Sequence, residues 1–147
     1  MAALTTDRAT ETQEIGVNSV PVEGGAKIYA GSIVAAHPGG AAGSAGAYAK
    51  PAADAATLKV IGLAVEQKDN TAGADGDLSI KIQPLIIARF DSVETPSLKV
   101  DVGTPLYVVD DHTVGPAPGT NAIKAGICWE RISATEVWLY MDLAVNT

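Results

Sequence analysis

The chain has 147 residues, 47% of them hydrophobic but only 5% aromatic and 18% charged, with 15 glycines and 8 prolines. That is the length of one domain, built largely from small residues and turns. A net charge of −7 argues against the clustered Lys and Arg that a phosphate backbone or an anionic lipid surface demands, so neither nucleic acid nor membrane is expected as a partner.

No stretch approaches the roughly 18 apolar residues of a membrane helix, and MAALTTDRATETQEIG lacks the basic-then-apolar start of a secretory signal. Synthesis and folding in a reducing cytosol are expected. Cys128, the single cysteine, has no internal disulfide partner and reads as a packing thiol in the run AGICW; two histidines do not supply a zinc set.

Residues 1–14 are polar and without apolar period, an extended arm; residues 15–147 form a single β-rich domain. Ile15, Val17, Val20 and Val22 mark an extended segment, ended by a turn at Glu23-Gly24-Gly25. Ala26 to Ala36 reads as a strand pair or as one long strand bent at Gly31. His37 to Ala56 is low in complexity: a hairpin loop, or a short strand near Ala47-Tyr48-Ala49, with at most one helical turn at PAADAAT. Leu58 to Glu66 is apolar on both faces and fits an interior strand. From Leu78 to Asp91 the even positions Leu78, Ile80, Ile82, Ile86, Ala88 and Phe90 form a core face with period two. Pro84 interrupts the ladder, and Leu85 and Ile87 place an apolar patch on the other face. A strand over Pro105 to Asp110 precedes a turn at Asp110-Asp111-His112-Thr113. Lys124 to Ile132 and Glu136 to Val145 read as a hairpin turning at Ser133-Ala134, with Val137, Leu139, Met141 and Leu143 on the core face and Trp138 and Tyr140 on the other. Many short strands separated by turn signals predict an all-β fold, a small barrel or sandwich.

The residues assemble no catalytic motif. No G-x-S-x-G elbow is present, nothing orients His37 or His112 as a base, and Gly39-Gly40 lacks the P-loop form. No enzymatic activity and no cofactor are expected. The acidic stretch Asp69 to Asp77 is the best metal candidate, being rich in oxygen donors that suit calcium, yet it lacks an EF-hand register and reads more simply as a hairpin turn. What remains is surface. Leu85, Ile87, Trp138 and Tyr140 are either a second core layer or a protein–protein interface, where Trp and Tyr are enriched.

Four elements occur in order: AKIYAGSIV (Ala26 to Val34), VIGLA (Val60 to Ala64), DNTAGADG (Asp69 to Gly76) and VGTPLYVVDDHTV (Val102 to Val114). In this set the chain resembles the capsid cement, or head decoration, proteins of tailed phages over roughly residues 5–145. The resemblance implies a β-tulip-like module with an extended N-terminal arm. Its role would be to bind the outer surface of the assembled head and staple neighbouring major capsid subunits, with no substrate. It also implies a trimer on the capsid, or else a dimer, and a place on the outside of the virion after synthesis in the host cytoplasm. Leu4 and Arg8 in the arm then join Leu85, Ile87, Trp138 and Tyr140 as candidate contacts with capsid or with further copies. The competing class is a β-sandwich that binds carbohydrate or a host surface.

Overall fold

The computed structural model describes residues 16–37 and 48–143. These residues form strands and turns with no helix among them, so none is long and apolar enough to cross a membrane. The strands are β1 (Asn18–Pro21), β2 (Lys27–Ile28), β3 (Ile33–Ala36), β4 (Ala49–Pro51), β5 (Lys59–Ala64), β6 (Lys68–Asp69), β7 (Ser79–Gln83), β8 (Ile86–Ser92), β9 (Pro105–Val108), β10 (Thr113–Gly115), β11 (Lys124–Arg131) and β12 (Glu136–Met141). The expected all-β architecture is present as two bodies: a five-stranded sheet in the order β1-β7-β5-β3-β4, and a closed barrel in the order β10-β8-β12-β11-β9. A two-stranded ribbon, β2-β6, accompanies the open sheet. The sheet itself curls until Val22, just past β1, bridges Ala49 of β4, with the Glu23 amide donating to the Ala49 carbonyl at 2.9 Å.

Alternation explains how one chain fills two cores. Ile33 and Ala35 of β3 join the barrel core around Phe90, Leu106, Val114, Leu139 and Met141, while Val34 joins a second core with Val22, Ile28, Ile80 and Ile82. Every residue of β3 is therefore buried, as a strand apolar on both faces must be. β5 lies between β3 and β7, the interior place its sequence predicts. Cys128 is buried in the barrel core, where loss of solvent pushes its thiol pKa up.

The stretch Leu78 to Asp91 is two strands rather than one. Pro84 has no amide to donate, so the ladder stops at Gln83 and the chain re-enters at Ile86 in the other sheet. The period of two survives the crossing: Ile80 and Ile82 enter the sheet core, Phe90 enters the barrel core, and Ile86 and Ala88 pack against the latter. Leu78 departs from the expected face; it precedes β7 and is 38% exposed. Leu143, read as core, lies beyond the end of β12 and is 46% exposed. PAADAAT contributes β4's last residue and a turn, with no helical turn.

Two anchors seal the barrel end formed by residues 93–100. Glu94, whose side chain is 3% exposed, accepts from Arg131 Nε at 2.6 Å and Nη2 at 3.1 Å, and from the Val100 amide at 3.2 Å. Val100 itself fills the barrel core. The Arg131 hydrogen bond above all holds the Glu94 carboxyl down to about 2, against an ordinary 4.5. Its contribution to stability is complete above about pH 4.5 and is lost as the pH falls toward 2. Acid titration followed by circular dichroism should therefore show stability falling through that window, and Glu94→Gln should flatten this part of the profile. An acid limb identical in the variant would show that Glu94 does not set acid stability.

Candidate interaction surface

Closing the barrel leaves β8, β11 and β12 with no free edge, so any partner must meet their outer side chains. β12 pairs with β8 and β11 at once, and register fixes which side chains share a row. Tyr140 stands opposite Ile87 on one side and Ile127 on the other; Trp138 stands between Arg89 and Glu130. Val137, Leu139 and Met141 point inward and are fully buried, so the assignment of the two faces of β12 holds, Leu143 excepted. Trp138 and Tyr140 are half-buried by neighbours on the outer face. Ile87 is 39% exposed.

Trp129 completes the row. A register shift between Cys128 and Glu130 inserts it as a bulge residue, and its ring reaches Tyr140 with centroids 6.3 Å apart and planes inclined by 34°. At 56% exposure it is the most open aromatic of this face. Trp129 is not among the contacts expected from the sequence, although a signal for it exists there: in a strand, the neighbour of a buried cysteine points the opposite way. Leu85 does not belong to the row; it is half-buried in the crossover before β8. Leu4 and Arg8 lie outside the described residues.

Polar groups frame the aromatics. Arg89 pairs with Glu136 through Nε and Nη2, and the Tyr140 hydroxyl donates to Asp142 Oδ2 at 3.1 Å, which pushes the phenol pKa up. The face is thus an aromatic and aliphatic row bordered by Arg89 and the carboxylates Glu130, Glu136 and Asp142.

The titratable clusters elsewhere are accounted for locally. Asp69 to Asp77 is a loop held both by its own side chains and by the 22–26 turn, and not a hairpin turn: β6 pairs with β2, whereas β7 pairs with β1 and β5. Asp69 accepts from the Thr71 amide and hydroxyl, Asp75 from the Gly24 amide, and Asp77 from the Ala74 amide. Among the described residues one group of three potential metal ligands has its donor atoms within 4.8 Å, Asp110-Asp111-His112 in the β9–β10 turn. There His112 Nδ1 lies 3.0 Å from a carboxylate oxygen of each aspartate, and Asp111 first, then Asp110, raises its pKa.

Comparison of the chain with models of known families, with curated proteins and with solved structures finds no match in any of the three.

Proposed function

We propose that this protein is a structural capsid cement, or head decoration, protein. It binds the outer surface of a tailed-phage head and stabilises contacts between major capsid subunits. The observation that carries the reading is the row Ile127, Tyr140 and Ile87, flanked by Trp129 and Trp138, on the solvent side of an edgeless barrel. The four ordered elements from Ala26 to Val114 point to the same family. Its partners are the major capsid protein and further copies of itself, as a closed trimer, with a dimer as the alternative symmetry. It acts without catalysis or cofactor, away from nucleic acid and membrane, on the virion exterior after synthesis in the host cytoplasm. A carbohydrate- or host-binding sandwich would call for a flat aromatic platform, and the 34° inclination of Trp129 to Tyr140 favours a shaped protein contact instead.

Cosedimentation with expanded empty heads, assembled from the major capsid protein of the same genome, tests this reading. Trp129→Ala alters an exposed side chain, so the melting temperature of the free domain should stay within about 3 °C of wild type. Binding should weaken by about thirtyfold, the loss of roughly 2 kcal/mol expected of an interfacial Trp. Trp138→Ala should act in the same direction. Failure of the wild-type protein to sediment with heads overturns the proposal, and so does wild-type sedimentation by both variants.

A further inference from the structure

Positive charge is unevenly matched in this acidic chain. Of the nine Lys and Arg residues that are described, six stand within 4.0 Å of a carboxylate: Lys27, Lys50, Lys68, Arg89, Lys99 and Arg131. Lys59, Lys81 and Lys124 form no such pair among the described residues. Two of those three, Lys59 at the start of β5 and Lys124 at the start of β11, line one hollow of about 260 Å³ together with Thr57, Asn121 and Ala122. No carboxylate lines it, in a chain with 17 acidic and 10 basic residues.

The same hollow contains both described non-glycine residues whose backbone is left-handed, Thr57 at φ 64° and Ala122 at φ 52°. For a β-branched threonine this region is a genuine outlier, kept only where the surroundings over-determine it. Here they do. The Asp54 carboxylate accepts the Thr120 amide at 2.8 Å and the Asn121 amide at 2.9 Å, while Asn121 Nδ2 donates back to the Asp54 carbonyl at 3.0 Å. These bonds clasp the two walls together. The Thr57 hydroxyl donates to the Ala56 carbonyl at 2.6 Å, which leaves its oxygen to accept from His37 Nδ1 at 2.9 Å. Asp54, the one acid in either wall, thus spends both carboxylate oxygens on backbone amides rather than on the lysines.

We infer that this hollow binds an oxyanion group, a carboxylate or a phosphate, between Lys59 and Lys124. Lys59 and Lys124 both line the cleft, and two ammonium groups brought into it would repel each other until an anion lay between them, when charge-assisted hydrogen bonds from both would hold it. The site lies at the opposite end of β11 from Trp129, so it is separate from the aromatic face and independent of the capsid reading.

The test uses the ¹⁵N-labelled full chain at constant ionic strength, titrated separately with sodium phosphate, sodium acetate and a hexaglutamate peptide, with sodium chloride as control. Saturable shifts at the amides of Thr57, Lys59, Asn121, Ala122 and Lys124 are expected, with at least about tenfold weaker binding in the double variant K59Q/K124Q. Saturation by phosphate alone assigns the site to a phosphate; saturation by acetate or the peptide assigns it to a carboxylate. If the double variant does not fold, K59Q and K124Q separately serve the same purpose. The inference is overturned if none of the three probes saturates, if the shifts spread equally to Lys81, or if the variants bind as wild type does.

Discussion

Replacing Gly126 with alanine should lower stability by about 3 kcal/mol or more, a fall of about 10 °C in melting temperature for a domain of this size. Gly126 lies in β11, opposite Leu106 of β9, where the register with β9 slips between Lys124 and Gly126. A Cβ there would fall inside contact distance of the Tyr140 carbonyl oxygen and 3.0 Å from Leu139 Cδ1. The obstacle is backbone, which no rotamer change relieves. Either β11 or β12 must move, and both are barrel walls carrying core residues Ala125, Cys128, Leu139 and Met141. Gly16→Ala is the control: its Cβ meets nothing within 4 Å, so it should stay within about 0.5 kcal/mol of wild type. Calorimetry that finds Gly126→Ala melting with wild type would contradict the close approach of β11 to β12.

Asn70→Ala should cost about 1–3 kcal/mol. The Asn70 side chain is buried, and its Nδ2 donates to the carbonyls of Val22 and Glu23 at 3.2 Å each and of Ala74 at 3.0 Å. Its backbone adds bonds to Gly25 and Ala26. Truncation removes the side-chain donor that ties two loops together; each of the three carbonyls keeps a backbone partner, the amides of Gly76, Ala26 and Asp77, so what is lost is the buried cross-link itself. Asn70→Asp should be no milder at neutral pH, since a carboxylate would then face carbonyl oxygens with no proton to offer. Urea titration distinguishes the outcomes. A midpoint unchanged in both variants would show that the loop is held by its aspartates instead.

Local pattern made much of this fold legible. The even positions through Ile80, Ile82 and Phe90, the β11–β12 hairpin and the inward set Val137, Leu139 and Met141 follow from alternation alone, because one buried face forces period two. Barrel closure was not legible. It depends on β10 lying parallel to β8 and on β9 reaching β11, and pairings between distant segments leave no local mark. The ribbon β2-β6 has two residues per strand, too few to show a period. In the acidic loop, composition displays the aspartates but conceals Asn70, whose importance comes from burial. The interaction face was half legible: Tyr140 and Ile87 were read as outward, and register makes them direct neighbours. Trp129 follows the buried Cys128 and points outward by alternation, whereas Leu85 falls off this face because Pro84 does more than interrupt one strand: it separates two strands that belong to different sheets.

We propose the Ile87–Tyr140–Trp129 face as a protein contact on a phage head. Electron cryomicroscopy of heads mixed with the full chain tests it most directly. Density for this domain is expected on the outer capsid surface, with Trp129, Trp138 and Tyr140 buried against the major capsid protein or another copy of the chain. Bare heads, or bound domains in which that face is turned to solvent in every copy, would contradict it.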